Sequence, residues 1–102
     1  MTAKLQILAV GMLDVETFGM DAFFVQVSET EVMHYEVHRS GKIDAVPSEP
    51  QPLAQMYSSV EKFNHCYLVE DPVPINEVSD LPSYLGKFEI TSETRCRYRS
   101  DG

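Results

Sequence analysis

The chain has 102 residues, enough for one domain that hides about 65% of its unfolded surface and holds a core without disulfide or metal staples. Hydrophobic residues make up 43% of it, including five Phe and five Tyr, and this composition excludes an intrinsically disordered protein. Residues 1–94 carry 15 acidic and five basic side chains, a net charge of −10 that disfavours direct binding to DNA or RNA phosphate.

The N-terminal run of residues 3–13 is rich in Leu, Ile and Val, which predicts a central strand covered on both faces. Its apolar part, from Leu5 to Leu13, follows Lys4 as in a signal peptide, but it lacks a small-residue cleavage site, and Asp14 and Glu16 follow at once. It is also too short to span a bilayer. We therefore expect a buried strand in a cytosolic protein that contacts no membrane, followed by a loop over residues 14–20.

Residues 22–46 are predicted to form a three-stranded antiparallel meander. A first turn at residues 29–31 gives one clean apolar face, which a slip of one residue would destroy. Its pairs are Val27 with Met33, Val25 with Tyr35 and Phe23 with Val37.

The second turn of the meander is predicted at residues 39–41, where Gly41 suits a type I turn closed by a left-handed residue. Both turns place the same side chains of the middle strand on the apolar face. This agreement predicts a strand, not a helix, over residues 31–38. The pairs across the second turn are Val37 with Ile43, Tyr35 with Ala45, Glu36 with Asp44 and His38 with Lys42.

Three prolines over residues 47–52 predict a stiff loop, after which the hydrophobic period changes to that of a helix. We predict one main helix over residues 53–65, whose apolar stripe lies on the sheet. The alternative is that this stripe fills a partner's groove. The stripe consists of Leu53, Met56, Tyr57, Val60 and Phe63.

The C-terminal third predicts a short strand over residues 66–70 and an ordered loop over 71–82, with a helical turn from Asn76 towards Tyr84. Residues 87–99 predict a hairpin with its turn at 92–94, or else one long strand. The hairpin pairs are Ile90 with Cys96, Phe88 with Tyr98 and Glu89 with Arg97.

These elements predict one α+β domain over residues 1–102: a mostly antiparallel sheet of about six strands with one main helix packed on one face. The strands are the N-terminal strand, the three-stranded meander and the C-terminal hairpin. Cys66 and Cys96 form no CxxC motif, which excludes a zinc ribbon and a thioredoxin-type site. We expect both to be buried free thiols.

The most informative short stretch is residues 34–38, His-Tyr-Glu-Val-His. On a strand, His34, Glu36 and His38 share one face, with Asp44 opposite Glu36. Imidazoles and carboxylates suit zinc, manganese or iron. The two histidines lie about 13 Å apart along a flat strand, so a metal site would use one of them with Glu36 and Asp44. A helix would instead bring both histidines within one turn of each other.

The same face is predicted to bear an aromatic side chain, Phe24, opposite Glu36. An exposed sheet face is ordinarily polar, so the aromatic residue indicates that the 71–85 loop or a partner covers the face in part. We interpret this face as a partner-binding patch. Its members are Phe24, His34, Glu36, His38 and Asp44.

Two further features concern the C-terminal half. Arg95, Arg97 and Arg99 alternate and would form one basic stripe on a strand, which we expect to pair with the protein's own acids or with another subunit. His65 lies beside Cys66, but adjacent residues seldom form a productive dyad. We therefore expect His65 to have a capping or core role.

No GxGxxG, P-loop, HExxH or GxSxG motif is present, and the motifs indicate no known family. We predict a small, acidic, non-catalytic binding or regulatory protein that acts through a protein partner, as an inhibitor or as an acidic mimic of nucleic acid. One alternative is a metal-binding sensor or metal-dependent enzyme that uses Glu36 and Asp44 with His34 or His38; apart from that metal we expect no cofactor. The other alternative is a structural subunit that self-associates through edge strands.

Overall fold

The computed structural model describes residues 5–12, 19–62 and 65–99. Within them, eight strands form one mixed sheet, and one α-helix and one 3-10 helix pack against it. The strands are β1 (Gln6–Gly11), β2 (Met20–Gln26), β3 (Glu31–His38), β4 (Ile43–Ala45), β5 (Gln51–Pro52), β6 (Cys66–Pro74), β7 (Phe88–Ile90) and β8 (Arg95–Tyr98); the α-helix is α1 (Leu53–Lys62), and the 3-10 helix is Val78–Tyr84.

The α+β class is as predicted, but the expected sheet of about six mostly antiparallel strands is only partly matched. The additional β5 lies in the segment predicted to be a stiff loop, and it pairs with the start of β3. Strand β6 runs on to Pro74, through residues predicted to be a loop, and it lies parallel to β8. Both pairings join short segments far apart in the chain, so no local pattern marks them.

Strand β1 lies in the middle of the sheet, whose order is β4-β3-β2-β1-β6-β8-β7 with β5 beside β3. Ile7 and Ala9 are fully buried, and Val10 is nearly so. A bulge between Ile7 and Ala9 shifts the register against both neighbours. Because of this bulge, Ile7 and Val10 enter one core cluster while Ala9 enters the other. The predicted central strand is confirmed over the described residues; residues 3–4 and 13–18, including most of the expected 14–20 loop, lie outside them.

The meander is formed by β2, β3 and β4, and its second turn is confirmed with three of the four predicted pairs in the strand ladder. In the fourth, His38 with Lys42, Lys42 lies just before β4, and the N–H of His38 donates to the carbonyl of Lys42 at 2.8 Å. Gly41 has a positive φ of 97°, as the turn requires. The first turn lies one residue earlier than predicted: the backbone N–H of Val27 donates to the carbonyl of Glu31 at 3.0 Å. The observed pairs are therefore Phe23 with Tyr35 and Val25 with Met33. This shift of two residues in the pairing keeps each side chain on its predicted face.

We call the side of the sheet that bears Phe23, Val25 and Val37 the inner face. The rings of Phe23 in β2 and Phe88 in β7 lie 6.1 Å apart between centroids. Three strands separate β2 from β7, a distance of about 19 Å in a flat sheet. The sheet must therefore curve around the inner face. The 3-10 helix closes this concave side with Leu81, which is fully buried.

The local sequence explains how the closing segment is held. The backbone N–H of Glu77 donates to the Asp80 carboxylate at 3.1 Å at the start of the 3-10 helix. Pro82 lies inside the helix, and Gly86, with a φ of 72°, follows its end. The predicted helical turn is thus confirmed, in 3-10 form. The C-terminal hairpin is confirmed with all three predicted pairs.

We call the opposite side, which bears Phe24, Val32 and His34, the outer face; α1 packs here. Met56 and Val60 of the helix are buried against Ala9 and Val32. Tyr57, predicted on the core side, is instead 47% exposed, because the helix buries a stripe narrower than its apolar pattern. The described helix ends at Lys62, and residues 63–64 lie outside the described part of the chain. No helix in the described ranges combines the length and apolar character needed to cross a membrane.

Candidate functional site

All five residues of the predicted partner-binding patch lie on the outer face, but in two groups. Phe24 and His34 pair across β2 and β3, beside α1. Glu36, His38 and Asp44 lie further along β3 and β4. The helix, not the 71–85 loop, covers part of this face, because that loop closes the inner face instead.

A groove runs between α1 and the sheet beside the first group. Its volume is about 260 Å³, and its surface is mostly apolar. The sheet contributes Phe24, Val32 and His34 as one wall, and Met56 of α1 forms part of the other. The remaining lining residues are Val46, Pro47, Gln51, Gln55, Ser59 and Cys66. A groove of this size and lining suits one apolar side chain with a few polar contacts at its rim.

His34 is held in place from two sides. Its ring lies 4.7 Å from the ring of Phe24 between centroids, with an interplanar angle of 31°. Its Nδ1 lies 2.7 Å from the carbonyl oxygen of Val46. Because a carbonyl only accepts, Nδ1 carries the hydrogen, and in the neutral ring Nε2 is the acceptor. The ring can thus accept a hydrogen bond from an incoming donor.

The second group is a half-buried charge cluster around Asp44. Its Oδ2 lies 3.1 Å from His38 Nε2 and 3.8 Å from Lys42 Nζ. Glu36 lies directly opposite Asp44 in the strand pairing. Two neighbouring carboxylates repel each other, and here two cationic or proton-donating side chains lie next to one of them.

The metal-binding alternative requires ligand side chains to lie close together, and the described residues bring fewer of them together than the sequence predicts. Across residues 5–12, 19–62 and 65–99, no three or more His, Cys, Asp or Glu side chains are grouped so that they could hold a metal ion. His34 faces the carbonyl of Val46, while His38 bonds Asp44.

The two residues that suggested a dyad are arranged differently from the expectation. His65 is exposed with a φ of 72°, so a core role is wrong; its carbonyl accepts the N–H of Met12 at 2.7 Å. Cys66 is only half-buried and lines the groove. Burial raises the pKa of the Cys66 thiol, which makes it a weaker nucleophile at neutral pH.

The basic stripe lies on and just after β8, with all three arginines exposed. Arg97 forms an ion pair with Glu89 on β7, the predicted cross-strand pair. Arg99 Nε lies 4.0 Å from the other oxygen of Glu89. Arg95 pairs its backbone with Leu68 in the parallel ladder.

The groove was not among the sequence-based predictions. Its signal was present in β2 and β3, where Ala22 and Val32 fall on the face that otherwise reads as polar. Two apolar residues beside Phe24 indicate a covered surface there. No local sequence pattern shows that the helix over residues 53–62 is the element that covers this surface.

Comparison with known proteins finds no match: no family model, no curated protein and no solved structure matches this chain.

Proposed function

We propose that this protein is a non-catalytic binding protein that acts through a protein partner, and that the partner places an apolar side chain in the groove on the outer face. The observation that carries the proposal is the position of this mostly apolar groove directly beside a half-buried polar cluster on the same face. Apolar anchors seated in a cleft supply most of the binding energy in many protein interfaces.

The surrounding charge favours a basic partner. The net charge of the chain is −8, and Glu36 and Asp44 lie on the same face as the groove. Glu49 is exposed, and its backbone carbonyl accepts from the side chain of Gln51 in the groove lining. A basic segment that crosses this face would meet carboxylates around its anchor, which speeds encounter and sets orientation more than it adds affinity.

The surface of the partner that this protein covers determines how it would regulate that partner. An inhibitor would block the partner's working surface, and an acidic mimic of nucleic acid would occupy a surface that otherwise binds phosphate. The second case predicts that added nucleic acid competes with this protein for its partner.

A capture experiment with immobilised protein tests the proposal. Gln55 is exposed on α1 and lines the groove, so Gln55→Trp should fill the groove without disturbing the core. Ala54 is also exposed on α1 but does not line the groove, so Ala54→Trp is the matched control. We expect the wild type and Ala54→Trp to retain the same partner, and Gln55→Trp to lose it.

The salt dependence gives an independent check. Raising the salt from about 0.01 M to about 1 M shortens the Debye length from about 30 Å to about 3 Å, so a charge-guided complex should weaken steeply. The proposal fails if no partner is retained at low salt, or if both tryptophan variants bind as the wild type does.

A further inference from the structure

Strand β7 is the last strand of the sheet order, and within the described residues it pairs with β8 alone. It lies at the opposite end of the strand order from β4. Ile90 at its C-terminal end is 54% exposed, the largest exposure among the large hydrophobic side chains described. Exposed edges of this kind are templates for pairing with another strand.

The backbone hydrogen bonds define which groups of β7 are unpaired. Backbone groups along an antiparallel strand alternate between its two sides. Since residues 87 and 91 bond to the β8 side, the N–H and C=O groups of Phe88 and Ile90 point away from β8. Two bonds show which residues face β8: Thr91 N–H donates to Arg95 O at 2.9 Å, and Arg99 N–H donates to Lys87 O at 2.6 Å.

We propose that a second copy of this chain pairs with β7, antiparallel, about a twofold axis that passes beside Glu89. In this register, Phe88 of each copy lies opposite Ile90 of the other. Each of these two pairs exchanges two hydrogen bonds, so all four outward groups of each strand are satisfied. The interface is isologous and closes as a dimer, with one continuous sheet across both copies.

The side chains on the inner face match this register. The ring of Tyr98 lies 5.6 Å from the ring of Phe88 and 5.3 Å from that of Tyr84, between centroids. Tyr98 is itself 36% exposed. The pairing extends this aromatic cluster by Ile90 of the second copy and covers the most exposed of the aliphatic side chains described on this side of the sheet.

The charges on the other side of the strand also match. Glu89 of each copy meets the same residue of the other at the axis, which alone would be repulsive. Arg97 is bonded to Glu89, and Arg99 Nε lies 4.0 Å from it. The dimer therefore places four arginines around two carboxylates, so the central pair is compensated.

The other edge of the sheet is less suited to self-pairing. Charged side chains lie within and directly before strand β4, where Asp44 and Lys42 form an ion pair. Ile43 and Ala45, the residues whose backbone groups point outward there, have half-buried side chains that add little apolar contact. The partner surface of the proposed function lies nearer this second edge, so the two proposals can fail separately.

Sedimentation equilibrium of the full chain tests the dimer. We expect twice the chain mass of 11.6 kDa for the wild type. Ile90→Pro removes an outward N–H and no bond to β8, so it should reduce the mass to that of one chain. Ala45→Pro makes the same change at the β4 edge and should leave the dimer intact.

A disulfide at the axis provides a second readout that does not depend on proline. Opposed residues in a non-hydrogen-bonded antiparallel pair have Cα atoms about 4.5 Å apart, within the range of a disulfide. Oxidised Glu89→Cys should therefore run as a covalent dimer, whereas Ser92→Cys, in the exposed turn, should not. A monomeric wild type at high concentration, a dimeric Ile90→Pro, equal crosslinking of both cysteine variants or a mass that grows beyond two chains would each overturn the proposal.

Discussion

The two faces of the sheet differ in how completely other elements cover them. The inner face is closed: the curved sheet and the 3-10 helix enclose the larger buried cluster, which includes Phe23, Leu81 and Cys96. The outer face is covered only in part, by α1, and its buried cluster in the described chain consists of Ala9, Val32, Met56 and Val60. The difference indicates that the inner face supplies most of the stability, while the incomplete cover of the outer face leaves the groove.

The largest expected effect comes from truncating one buried side chain on each face. Leu81→Ala removes a fully buried side chain from the closed core and should reduce the free energy of unfolding by about 3 kcal/mol. Met56→Ala removes a side chain that lines the solvent-accessible groove, so water can fill part of the space, and about 2 kcal/mol is expected. Urea unfolding of both variants measures the difference. An equal or reversed order would contradict the assignment of stability to the inner face.

The next largest effect is expected from the difference in burial between Cys66 and Cys96. Burial, with a smaller contribution from the charge of Glu70, raises the pKa of Cys96 from 9.0 to about 12. Between these values the folded thiol stays protonated while the unfolded thiol ionises, so stability present below pH 9.0 is lost as pH rises towards about 12. The slope is at most about 1.4 kcal/mol per pH unit.

The measurement is the unfolding free energy from pH 8 to pH 11 for the wild type and for Cys96→Ala. Tyr35 and Tyr84, whose pKa values burial also raises, contribute in the same direction in both proteins. We expect a shallower pH dependence in the variant. In the folded wild type, a thiol reagent should modify half-buried Cys66 before fully buried Cys96. Identical slopes in the two proteins would show that Cys96 does not couple folding to pH.

The smallest effect is expected for the half-buried charge cluster around Asp44 on the outer face. Asp44→Asn removes the charge that faces His38 and Lys42, but Asp44 is 40% exposed, so solvent screens the pair. A loss of about 0.5 kcal/mol at low salt, which disappears at high salt, is the expected result in thermal or urea unfolding. A loss as large as that of Leu81→Ala would mean that this cluster holds the fold together.

The sequence predicts much of the sheet because short turns determine pairing locally. Gly41 and the hairpin turn at 92–94 lead to the observed registers. The turn after β2 is displaced by one residue, because a two-residue shift in pairing leaves both faces unchanged and the hydrophobic pattern cannot detect it. The parallel contact of β6 with β8 depends on chain segments about 27 residues apart, which no local rule reaches.

The site is predicted only in part for a related reason. Alternation places His34, Glu36 and His38 on one face, as the structure shows. The helical period identifies the apolar stripe of α1 but not the face of the sheet on which it packs. The groove exists only where these two elements meet, so its lining residues share no sequence pattern.

The bulge in β1 has a consequence for the order of folding. The strand needs β2 on one side and β6 on the other, and β6 begins at Cys66. Strands β2, β3 and β4 are linked by short turns and can form their pairs early. Since the residues around the bulge join both clusters, neither core is complete until the C-terminal half has been synthesised and docked. Strand β1 is thus among the last of the described strands to be fully buried.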